Sequence, residues 1–192
     1  MKEMDMLAGM ILSFLVSLIA VWYFMPYLID YLKKISFNQT VSEYSLEEYK
    51  EKAKTPIMGG LLFIAVPLVV SFISELFFGF SLEALVLQLA FVGYGAIGFL
   101  DDWLIAVRHN NEGLLPRYKF LMQVVLAAVI YFIYRNSVGD LSVRIPFTNS
   151  SLYLGHFYAV LILLMFSGAS NAVNLTDGMD GLAAGCAVCS FT

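Results

Sequence analysis

Long apolar runs, interrupted by short charged segments, dominate this chain, and their lengths predict helices that cross a bilayer. A helix rises about 1.5 Å per residue and the hydrocarbon core is about 30 Å thick, so a span needs roughly 20 apolar residues. Runs of that kind lie at Leu7 to Ile29, about Met58 to Phe78, about Leu82 to Leu100 and about Phe157 to Ala172. Another, Phe120 to Tyr134, is short and is expected to extend into the interface. A sixth begins near Leu182 and is still apolar at Thr192. The pattern predicts an all-α polytopic transmembrane bundle: a single domain over 1–192 with five full spans and the start of a sixth.

Between the runs the periodicity changes. Residues 42–54 (SEYSLEEYKEKAK) are charged, with Glu47 and Glu48 placed to pair with Lys50 to Lys52, which predicts a short amphipathic helix. The stretch at about 136–153 alternates apolar and polar positions (LSVRI, then SLYL) around Pro146 and Asn149, which predicts a small hairpin. The first run resembles a signal peptide in position only. It is too long for an h-region and ends in Trp22, Tyr23, Pro26 and Tyr27 without a small-residue cleavage site, so it reads as a span with an aromatic belt.

Composition agrees with the pattern. Only 14% of residues are charged and 60% are hydrophobic, too apolar a balance for a water-soluble domain. The net charge of −4 says less than the distribution of basic residues. The loop after the first run carries Lys33, Lys34, Lys50, Lys52 and Lys54, and the loop after the third carries Arg108, Arg117 and Lys119. These are eight of the 11 basic residues, against Lys2, Arg135 and Arg144 on the other side. Positive-inside bias then predicts an external N-terminus and cytoplasmic loops at about 30–57, 101–119 and 171–181.

Three of those loops hold the candidate chemistry. Asp101 and Asp102 end the third apolar run, and charge at membrane depth costs roughly 3 kcal/mol per residue on insertion scales. At a helix C-terminus two carboxylates also oppose the dipole, a penalty that a bound cation would offset. Asn171, Asn174, Asp177 and Asp180 follow one another at intervals of three, with Thr176 among them and Gly178 and Gly181 allowing a sharp turn. Their oxygens are hard ligands suited to Mg²⁺, although Asn, Asp and Gly are also ordinary turn residues. The segment from Lys52 to Gly60 (KAKTPIMGG) places Pro56 to open a helix beside Lys52 and Lys54. It reads equally as an anion cradle at a helix start or as plain basic anchoring.

Two pattern matches carry no chemistry. Gly93 to Gly98 fits G-x-G-x-x-G but sits inside an apolar span with no strand before it, so close helix packing is the expectation. Cys186 and Cys189 fit C-x-x-C but stand alone in an apolar helical run, where packing is again expected. His109 and His156 are isolated.

In order along the chain, TPIMGG (Thr55 to Gly60), GFLDDW (Gly98 to Trp103), EGLLPRYKF (Glu112 to Phe120) and NAVNLTDGMDGLA (Asn171 to Ala183) resemble the polyprenyl-phosphate N-acetylhexosamine-1-phosphate transferases. Within that superfamily the resemblance is to the phospho-N-acetylmuramoyl-pentapeptide transferase (MraY) family, with Thr176 favouring this branch. The resemblance implies transfer of phospho-MurNAc-pentapeptide from UDP-MurNAc-pentapeptide to undecaprenyl phosphate, forming lipid I and UMP with Mg²⁺ as cofactor. It implies a multi-pass protein of the bacterial cytoplasmic membrane with a cytoplasmic active-site face, in contact with membrane lipids, not nucleic acid, and open to homodimer formation. By motif, Asp101, Asp102 and Asp177 would be catalytic and metal-binding, while Lys52, Thr55, Lys119, Asn174, Gly178 and Asp180 would contact substrate. The chain departs from the family's usual pattern at Ile57, where Thr is common, and at Ile105, where Lys is common. It reaches roughly the middle of the family's length, so the expectation is a partly built site and little or no activity from these 192 residues alone. The alternatives are a GlcNAc-1-phosphate transferase and a non-catalytic half completed by a second chain.

Overall fold

The computed structural model describes residues 2–35, 56–108, 113–148, 150–177 and 181–191. The predicted amphipathic helix at 42–54 lies outside them. The described chain is helical apart from one hairpin: α1 (Lys2–Lys34), α2 (Gly60–Phe78), α3 (Leu82–Arg108), α4 (Pro116–Ser137), β1 (Ser142–Arg144), β2 (Ser151–Tyr153), α5 (Tyr158–Thr176) and α6 (Leu182–Phe191). Helices α1 to α4, and α5 with the 3₁₀ turn before it, are long and apolar enough to cross a membrane. Large apolar side chains such as Phe14, Trp22, Phe77 and Leu164 are exposed along these helices, as expected where lipid replaces water. The chain is thus a multi-pass membrane protein.

Two compact units make up the chain, residues 1–119 and 120–192. In the first, α1 packs on α2 and α2 on α3. Gly9, Ser13 and Ser17 recur every four residues on α1, the small-residue spacing that lets helix backbones approach in lipid. A Cβ at Gly9 would run into the Phe78 ring, and the Ser13 hydroxyl meets that of Ser74 at 2.9 Å. Between α2 and α3 the fit is made at Gly95, where a Cβ would meet Ile64. The glycine pattern of α3 therefore serves helix packing at this position.

A polar knot joins the same two helices. Glu75 is buried, and the Gln88 side-chain amide donates to its carboxylate at 2.6 Å and to the Ser71 hydroxyl at 2.8 Å. A carboxyl among apolar helices is costly unless a partner satisfies it.

Three boundaries differ from the sequence expectation. The third helix does not stop at the acidic pair but continues to Arg108 through Trp103, Leu104, Ile105, Ala106 and Val107. Asp101 and Asp102 thus lie within α3, away from its terminal carbonyls, and the dipole argument against them does not apply. The fourth helix runs from Pro116 to Ser137, long enough to cross without an interfacial extension. Pro56 does not open α2, which starts at Gly60. Met58 before it takes a left-handed backbone, φ 72°, with its side chain buried.

The Glu75 knot predicts a cost. Gln88→Leu leaves the carboxylate without its amide donor and should destabilise the protein by about 1–3 kcal/mol. Thermal unfolding in detergent checks this; an unchanged midpoint would mean the bond contributes nothing.

Candidate functional site

The site grows from the far end of α3. Asp101 and Asp102 follow each other on the helix and so project about 100° apart. They cannot share one direction, and the structure gives Asp101 a setting of its own. Gly113 and Leu114, just ahead of α4, lie against it. The backbone N–H of Leu114 donates to Asp101 Oδ1 at 2.7 Å, and Lys119 Nζ, on the first turn of α4, pairs with Oδ2 at 2.6 Å. Both partners are mostly buried, each side chain 15% exposed, so the pair is screened far less than one on a surface.

Gly113 makes this clamp possible. A Cβ there would collide with Asp101 Oδ1 and stand 3.0 Å from Cγ and 3.1 Å from the Asp101 carbonyl oxygen. Only glycine lets the connector pass closely enough for the next N–H to reach the carboxylate. Gly113 and the Leu114 amide are site residues that the sequence reading did not single out, although both sit in the EGLLPRYKF motif. Asp102 is half-buried beside them.

In the second unit, the Asn/Asp series divides by role. Asn171 on α5 turns inward: its side-chain amide donates to Gln123 Oε1 of α4 and to the Ser167 carbonyl, both at 2.8 Å. Gln123 is fully buried, so Asn171 belongs to a helix-to-helix polar contact. Asn174 is exposed three residues later. Asp177 caps the C-terminus of α5, its N–H bonded to the Val173 carbonyl at 3.0 Å and its side chain exposed. The Thr176 hydroxyl donates back to the helix, to Val173 at 2.9 Å and Ala172 at 3.1 Å, so its proton is already engaged. Gly181 has φ 78°, the left-handed turn that glycine permits. Lys52, Thr55, Gly178 and Asp180 lie outside the described residues.

Carboxylate, amide and backbone oxygens of this kind suit a hard divalent cation. Among the described residues no three His, Cys, Asp or Glu side chains form a metal-ligand cluster. The Asp101 carboxylate carries an ammonium partner, so a cation there would share that carboxylate with Lys119 or displace it.

Apolar spans and a mostly buried carboxylate on α3 held by an ammonium and a backbone N–H describe an integral membrane protein with a polar site on one helix. Residues 84–192 match the family model for glycosyl transferase family 4, and the chain belongs to that family. Proteins named phospho-N-acetylmuramoyl-pentapeptide-transferase are similar along its length. That of Geobacillus sp. (strain WCH70) is 38% identical over all 192 residues, and that of Halalkalibacterium halodurans 39% over the same span. That of Staphylococcus aureus (strain bovine RF122) is 37% identical over 182 residues, 93% of this chain. The chain spans 58% of the length of the first two relatives and 56% of the third.

Gly113→Ala should push Asp101 off the Leu114 amide and cost about 1–3 kcal/mol of stability. In an Asp101→Ala background the obstructing carboxylate is gone and the cost should shrink. Denaturant unfolding of the two singles and the double measures the coupling. Equal costs in both backgrounds would show that the contact is not responsible.

Proposed function

We propose that this chain is the part of a membrane phospho-sugar transferase that contributes the α3 carboxylates, acting in peptidoglycan synthesis with UDP-MurNAc-pentapeptide as donor and undecaprenyl phosphate as acceptor. The observation that carries the reading is the Asp101 clamp, in which a paired carboxylate and ammonium stand at the end of a membrane-spanning length of helix. Similarity to phospho-N-acetylmuramoyl-pentapeptide-transferases over the whole chain supports the choice of sugar.

In the reaction, an oxygen of the lipid phosphate attacks the β-phosphorus of the nucleotide sugar. The new O–P bond forms as the bond to the UMP oxygen breaks, and UMP leaves with the electron pair. Such transfers depend mainly on positioning and charge neutralisation. A bare Asp101 carboxylate would repel both anionic substrates, and Lys119 balances that charge. An arriving phosphate competes for the same ammonium, which loosens Oδ2 of Asp101 while Leu114 N–H still orients Oδ1. Asp101 is thereby released as a base toward the lipid phosphate when that anion arrives. By motif, Asp101, Asp102 and Asp177 are the carboxylates that would hold Mg²⁺. The ion, when bound, supplies charge neutralisation on the diphosphate and the leaving UMP. Lys52, Thr55, Lys119, Asn174, Gly178 and Asp180 are assigned to substrate contact, on the cytoplasmic face with the N-terminus outside.

UMP release and lipid product are to be measured on the protein as its gene encodes it and, in parallel, on these 192 residues. Asp101→Asn, Asp102→Asn and Asp177→Asn should each lower kcat by about 100-fold or more, and chelation of Mg²⁺ should abolish turnover. The 192 residues alone should show little or no release. Undiminished turnover in all three variants would remove the site assignment. Turnover with UDP-GlcNAc but not with UDP-MurNAc-pentapeptide would replace the donor.

A further inference from the structure

Among the described residues, the hairpin between α4 and α5 has an apolar face that is left exposed toward its tip. β1 and β2 pair antiparallel, with Val143 opposite Leu152 and Arg144 opposite Ser151. The Leu154 N–H reaches the Leu141 carbonyl at 2.9 Å at the base, and the Ile145 N–H reaches the Ser150 carbonyl at 3.0 Å near the tip. Because side chains alternate across a strand, Leu141, Val143, Ile145, Leu152 and Leu154 share one face. Ser142, Arg144, Ser151 and Tyr153 share the other. The apolar face is covered only at its root: Leu141 is 4% exposed, but Ile145 is 42% and Leu152 55%. At the tip Phe147 is fully exposed and held at φ 62°, a backbone region that a bulky residue rarely adopts. A two-stranded ribbon with three-residue strands is marginal in water unless its apolar face packs on something.

What it packs on follows from its tether. The ribbon is joined to a spanning helix on both sides, α4 ending at Ser137 and α5 beginning at Tyr158. Its strands are only roughly 10 Å long, so it stays close to the bilayer surface. Tyr134 and Tyr158 stack at the helix ends beneath it, 5.4 Å between centroids and nearly parallel, and an Arg135 N–H points to His156 Nδ1 at 3.5 Å. Aromatic rings beside basic groups are the composition of a membrane–water interface. We infer that the hairpin is a lipid-surface anchor, lying flat with Phe147, Ile145 and Leu152 inserted at the level of the glycerol backbones and Arg144 on the water side.

Single-tryptophan variants in phospholipid vesicles test this, with Trp22 and Trp103 replaced by Phe. Phe147→Trp and Leu152→Trp should emit at short wavelength, be quenched by lipids brominated near the glycerol end of the chains, and resist aqueous iodide. Ser151→Trp, on the opposite face, should be several-fold more sensitive to iodide. The three probes occupy one ribbon, so a misfolded variant shows itself by disagreeing with its neighbour on the same face. Iodide quenching of all three without bromolipid quenching would overturn the proposal. So would disulfide cross-linking of Phe147→Cys between two chains, which would make the partner a second copy.

Discussion

A carboxylate among apolar helices has no water to fall back on, so each one must find its partner inside the protein. That constraint organises the first unit at two places. Glu75 takes the amide of Gln88, and this fixes α2 against α3. Asp101 takes a backbone N–H and an ammonium, and this fixes the connector and the start of α4 against the far end of α3. The same solution recurs with amides in the second unit, where Asn171 and Gln123 meet between α5 and α4. Each polar contact ties together helices that lipid alone would leave without a driving force to associate.

The two carboxylate settings differ in kind. Gln88 is a neutral donor locked between helices, and nothing about the Glu75 contact invites exchange. Lys119 is a charged donor on a flexible stem at the edge of the bundle, and its partner can be taken over by any stronger anion. The first contact is suited to holding helices together; on the proposed function the second would meet a phosphate. The second contact lies within residues 84–192, the region that matches the glycosyl transferase family 4 model.

Much of this was legible in the chain. The spans were readable because apolar run length is a direct consequence of bilayer thickness, and the hairpin because LSVRI and SLYL alternate with period two. The helix ends were less so: the apolar run breaks at Asp101, yet Trp103 to Val107 sustain the helix beyond it, since two charges do not break a helix whose neighbours still favour it. Lys119 as the partner of Asp101 was not readable, because 18 residues of connector and helix separate them and only the fold sets their distance. Gly113 was hidden for the same reason: its value is the absence of a side chain beside a group distant in sequence. Asn171 looked equivalent to Asn174 by spacing, but three residues advance a helix by only 300°, enough drift to turn one inward and leave the other exposed. The Gly9, Ser13, Ser17 series was in plain view as small residues every fourth position.

The length of α3 also acts as a ruler. From Leu82, where the helix begins, to Asp101 is 19 residues, about 29 Å of rise, against a hydrocarbon thickness of about 30 Å. Measured along the helix, the carboxylates therefore stand about one hydrocarbon thickness from its start. On the proposed function, a phosphate on a long isoprenoid tail would meet them there while its tail stayed in the bilayer. On that proposal the residue count of α3 would set the depth of the chemistry, and adding or removing one turn would shift the carboxylates by about 5 Å.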